Sequence, residues 1–239
     1  MHTDNPAGRL LNILEKAEKI ESHVLSRTAW AQIFEIENDD ALLVSRLGKV
    51  MALPHEIITD INLHFSGQSG SYTYWSEQVN SAFTHHNLNT EWSKFIEHID
   101  EHTINYLKMS VALLDMKENV KVVSNDDIKK IRNKIDKILQ EIIGLDIDEE
   151  FKKNITKYLR KIIIAIDEYN ITGIVPIMES VESTLGHVFI DEKYKDELMN
   201  DDYGLRIRKA LGFVADIITV SLGLPQIVSP TLQLLITSD

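Results

Sequence analysis

The chain contains no cysteine. That absence removes disulfides, thiolate-ligated zinc, iron–sulfur clusters and a thiol nucleophile together, and it fits a reducing compartment. Glycine and proline are scarce, 10 and 5 in 239 residues. Turn-rich β architecture needs more of both, so the shortage favours long helices. Positive charge is short as well: 25 basic residues stand against 37 acidic ones, for a net charge of −12. Up to residue 120 there are 9 basic and 17 acidic residues, and after it 16 and 20, so neither half is basic. A chain of this balance is repelled by phosphate backbones, and nucleic acid is not an expected partner. The N-terminal stretch MHTDNPAGRL lacks a basic region followed by an apolar one, which leaves the cytoplasm as the expected location.

What is present is apolar periodicity. Hydrophobic residues make up 44% of the chain, enough for one large or two small cores. Asn5-Pro6 reads as a helix start, followed by Leu10, Leu11, Ile13, Leu14, Ala17 and Ile20 at helical spacing. Helices follow with Trp30, Ile33 and Phe34, then with Leu43, Leu47, Val50 and Met51, where Pro54 is expected to kink or end the segment and a new helix to restart through Ile57, Ile58, Ile61 and Phe65. GQSGSY (67–72) reads as a loop, and Trp75, Val79, Ala82 and Phe83 as a further helix. The longest segment of this half is expected as one helix over roughly 91–118, with Trp92, Phe95, Ile96, Ile99, Tyr106, Leu107, Leu113 and Leu114 on one stripe. Residues 119–124 read as a connection. The expected division is therefore an N-terminal helical bundle (1–118) and a C-terminal region (124–239), all-α throughout, the latter built from an αα-hairpin and apolar C-terminal helices.

The hairpin is the densest pattern. Ser124 with Asp127 is a capping-box-like start, and Ile128, Ile131, Ile135, Ile138 and Ile142 recur every three or four residues up to Gly144. A second helix begins after Asp146 or Asp148 and carries Phe151, Ile155, Tyr158, Ile162 and Ala165. Isoleucine at both seam positions favours multi-helix association, either with the rest of the chain or with a second copy or protein partner. Ile128, Ile131, Ile135, Ile138, Ile142, Ile155 and Ile162 are thus the candidate association residues. From Ala210 to Val228 only Asp216 is charged. Gly223-Leu224-Pro225 interrupts that run, and Arg206, Arg208 and Lys209 stand before it like an interfacial anchor. Core helices, an oligomer interface and conditional membrane association are the readings of this segment, with Arg206, Arg208, Lys209, Phe213, Ile217 and Ile218 as the membrane candidates.

Catalytic signals are few. His98, Glu101 and His102 spell H-x-x-E-H, an inverted zinc-protease signature. On a continuous helix the two histidines share a side, but that side borders solvent, and the third ligand would have to come from Glu179 or Glu182. A surface pair is the expectation, with His98 and His102 as weak metal candidates. No phosphate loop, dinucleotide turn or nucleophile elbow occurs, and Asp146-Ile-Asp148-Glu149-Glu150 lacks the glycine and distal glutamate of a calcium loop. The expectation is no cofactor and no enzyme.

The segments NPAGRLLNILEKA (5–17), SRLGKVMALP (45–54), SAF (81–83) and EWSKFI (91–96) resemble a group of bacterial proteins to which no activity is assigned. The resemblance implies a bacterial cytosolic protein and carries no catalytic residue. Proteins of this sort often sit in phage-defence or toxin-related systems. The functional expectation is a non-enzymatic helical interaction or scaffold protein, oligomeric or bound to a protein partner. A membrane-active effector and a zinc hydrolase at 98–102 are the alternatives.

Overall fold

Short polar side chains set where the helices begin. In the computed structural model, which describes residues 4–37, 39–65, 67–117, 120–200 and 202–223, Asn5 accepts a hydrogen bond from the Gly8 amide and opens α1 (Pro6–Ala17). Asp39 does the same for α3 (Asp40–His64), which follows α2 (Ser26–Phe34). α4 (Thr73–Thr84) follows a 3₁₀ turn at Ser69–Ser71, and the one-turn α5 (Ser93–Ile96) precedes α6 (Glu101–Asp115). The second half holds α7 (Asn125–Gly144), capped by Ser124, and α8 (Glu149–Asp167), capped by Asp148. The one-turn α9 (Tyr169–Thr172), α10 (Val175–Gly186), α11 (Glu192–Leu198) and α12 (Tyr203–Ser221) complete it. The protein is all-α: among the described residues no strand forms, and Leu25 and Glu91 make an isolated β bridge.

The chain divides into two compact units, Met1–Asn119 and Val120–Asp239. In the first, α6 packs against α1, α3 and α4. Its centre is aromatic. Trp30 stacks on Phe34 and meets Trp92 and Phe95 edge-on, with ring centroids 5.1–5.3 Å apart. Each indole N–H is satisfied: Trp75 donates to Ser110 Oγ (3.0 Å), Trp92 to the Ala17 carbonyl (3.1 Å) and Trp30 to His86 Nε2 (2.9 Å). A buried indole needs such a partner, and here the partners also join elements distant in sequence. In the second unit α7 and α8 form an antiparallel hairpin, with α10 against α8 and α12 against α7.

Two expectations for the helices are corrected. Pro54 neither ends nor splits its segment: α3 runs for 25 residues through it. Val50 and Leu53 before it and Ile57 and Ile61 after it are all fully buried on one face. Their shared burial outweighs the missing proline hydrogen bond. The expected long helix over 91–118 is instead broken between α5 and α6, because Asp100 adopts an extended conformation and its carboxylate accepts from the Thr103 amide (2.7 Å). Of the apolar C-terminal run, α12 is described, and residues 224–239 lie outside the described residues.

Candidate interaction surface

The helix break dismantles the H-x-x-E-H site. His98 lies in the turn before Asp100, and His102 lies in the first turn of α6. The i, i+4 geometry that metal ligation requires is therefore absent. His98 stacks on His85 (5.7 Å), whereas His102 meets Tyr74 edge-on (6.4 Å). Among the described residues no group of three or more histidine and carboxylate side chains could hold a metal ion.

The candidate isoleucines of the hairpin are turned inward. Ile131, Ile135, Ile138, Ile142, Ile155 and Ile162 are buried in the core of their own unit, with Leu159, Ile177, Ile207, Leu211 and Val214 among their neighbours in that core, and Ile128 packs partly buried against it. The Ile-rich seam is answered from within the chain because α10 and α12 flank the hairpin. Of the six membrane candidates, Arg206, Arg208 and Ile218 are engaged. Arg206 pairs with Glu141 (3.1 Å) and Asp202 (3.2 Å), Arg208 donates to the Leu198 carbonyl (2.9 Å), and Ile218 is buried. Lys209 and Phe213 are exposed, and Ile217 is half-buried. No helix among the described residues is long and apolar enough to cross a membrane.

One polar cluster in the second unit has the outline of a proton relay. Tyr158 Oη lies 3.1 Å from His187 Nδ1, and His187 Nε2 lies 3.5 Å from Asp191 Oδ2. The second separation is too long for a hydrogen bond, and Nε2 is buried. The other oxygen of Asp191 accepts from the Tyr194 amide and caps α11. The cluster clasps α8 to the turn before α11 and leaves His187 Nε2 shut away from any reactant.

What the sequence reading missed is α6's second face. Thr103, Ile104, Leu107, Ser110, Val111 and Leu114 point into the unit and are buried. With His102 as zero and 100° per residue, Tyr106, Met109, Leu113 and Met116 fall within roughly 40° of it, on the opposite side. Tyr106 is 41% exposed, Met109 55% and Met116 76%, and Leu113 is half-buried. A charge-free apolar stripe on a helix already packed on its other side has no core to enter. The rim is fixed by Tyr74, whose ring lies 5.6 Å from that of Tyr106 and whose hydroxyl donates to Asp100 Oδ2 (2.6 Å). That hydrogen bond holds the Asp100 carboxyl below its ordinary range and raises the Tyr74 phenol.

The sequence reading placed Tyr106 and Leu113 on the Trp92 stripe by counting one unbroken helix. The break resets the phase and turns both outward. The available signal was Asp100-Glu101, a capping residue followed by an acidic first turn.

No family model, curated protein or solved structure matches the chain.

Proposed function

We propose that the chain is a non-enzymatic helical interaction protein that binds another polypeptide helix through the outer face of α6. The single observation carrying this reading is the apolar stripe Tyr106–Met109–Leu113–Met116, exposed at Tyr106, Met109 and Met116 and half-buried at Leu113, on a helix whose opposite face is packed. Its spacing of three, four and three residues is that of a helix-pairing seam. Burying one methionine side chain contributes roughly 1.5–3 kcal/mol, so a partner covering Met109 and Met116 gains several times thermal energy from those two alone.

A photo-crosslinking side chain placed at position 109, with one at exposed Glu149 as control, tests it in cell extract. The expected result is an adduct at 109 that disappears in Met116→Glu and whose crosslinked peptide, identified by mass spectrometry, is helical. Equal labelling at the two positions, or an adduct at 109 that Met116→Glu leaves unchanged, contradicts the reading.

A further inference from the structure

We infer that Met109 and Met116 are sites of reversible sulfur oxidation, and that their sulfoxides convert the outer face of α6 from an apolar surface into a polar one. This builds on the reading of that face above and adds its regulation.

The chain has no cysteine, so no thiolate stands ahead of the thioethers as a target for a two-electron oxidant such as hydrogen peroxide. Exposure then ranks the methionines. Met116 is 76% exposed, Met109 55% and Met51, on α3, 47%. Met178 and Met199 are packed, partly buried, against the core of unit 2. The Met199 sulfur also accepts a hydrogen bond from the Arg208 guanidinium (3.3 Å), which occupies a lone pair that an oxidant would have to meet. Among the described residues, two of the three exposed thioethers therefore share one stripe, about two turns apart on the same side of one helix.

The chemistry balances with the oxidant alone. A sulfur lone pair attacks one peroxide oxygen, the S–O bond forms and the O–O bond breaks. The departing hydroxide takes the remaining proton and leaves as water. Sulfur loses two electrons and the peroxide gains them. A thiol-dependent sulfoxide reductase returns two electrons and two protons, and the oxygen leaves as water. Half of the stripe is thioether, and its other members are a phenol and a half-buried leucine. Two S–O dipoles there replace the most exposed apolar surface of the face. The inner side of α6, with Leu107, Val111 and Leu114, is untouched, so the helix keeps its packing. A sulfoxide formed inside a core would instead disrupt it.

The test treats the full-length protein with dilute hydrogen peroxide. It follows peptide mass, helical circular dichroism and retention on a hydrophobic-interaction column. Met116 and Met109 should each gain one oxygen at least about fivefold faster than Met178 and Met199, with unchanged helicity. Retention should fall, and should recover after treatment with the reductases for both sulfoxide epimers. It should fall less than about half as far in Met109→Leu/Met116→Leu, which keeps the other methionines and an apolar face. Oxidation of Met109 and Met116 no faster than that of Met178 and Met199 overturns the sites. An equal loss of retention in the two proteins, or a loss that the reductases do not reverse, overturns the conversion of the face. A photo-crosslinking side chain at position 113 separates this inference from the reading it builds on. Capture in extract that prior oxidation abolishes, and that the double variant retains, supports both. Capture that survives oxidation of Met109 and Met116 leaves the binding standing and overturns its regulation. No capture before oxidation overturns the binding reading alone.

Discussion

Trp30 and His86 show how a single side chain ties unit 1 to pH. His86 accepts the Trp30 indole hydrogen through Nε2, so that nitrogen must be unprotonated, and burial lowers the imidazole's pKa below its ordinary value of 6.5. The unfolded chain binds the proton first. The stabilisation is therefore fully present above about pH 6.5 and is lost as pH falls through the depressed folded value. We expect the thermal midpoint of the unit's tryptophan fluorescence transition to fall between pH 7 and 5, with a smaller fall in His86→Gln. At the same scale, buried and outward apolar residues separate two roles. Ile135→Ala, in a fully buried site, should cost about 2–5 kcal/mol in denaturant unfolding. Met109→Ala, on the outer face, should change monomer stability by less than about 0.5 kcal/mol, because it empties no core. Equal costs for the two would contradict the assignment of faces.

At the scale of elements, caps and close approaches decide more than propensity does. Asp100→Ala should destabilise α6 by about 1 kcal/mol, read by urea unfolding, since its carboxylate serves the Thr103 amide and hydroxyl. Gly204 lies where α12 meets the end of α11, and a Cβ there would come within 2.4 Å of the Leu198 carbonyl oxygen. Gly204→Ala should cost about 1–3 kcal/mol, because backbone cannot step aside as a flexible side chain can. Much of this architecture was legible in the sequence. Asn5-Pro6 and Ser124 announce their helices because capping chemistry is local, Asp148 is one of the two caps the sequence offers for α8, and the hairpin's period is unmistakable. The phase of α6 was not legible, because Asp100 interrupts a run whose apolar spacing fits one continuous helix nearly as well. Since the outer face depends on that phase, counting one helix keeps the candidate site hidden: Tyr106 and Leu113 fall on the inner stripe, and Met109 and Met116 join no pattern. The continuity of α3 through Pro54 was hidden for a different reason: it depends on packing from α1, α2, α4 and α6 that no local pattern encodes.

At the scale of the whole molecule, two helical units bury most of their apolar stripes, and the outer face of α6 is one apolar surface left exposed among the described residues. The Ile-rich hairpin, the strongest association signal in the sequence, is consumed by unit 2's own interior. The outer face of α6, in unit 1, stands exposed opposite an inner face that the apolar pattern accounts for. Photo-crosslinking from position 109 in the otherwise unmodified chain, set beside Met116→Glu, tests this most directly. The expected result is a helical-peptide adduct at 109 that Met116→Glu abolishes without changing helicity. An adduct of equal yield in the two proteins, or none in either, would contradict it.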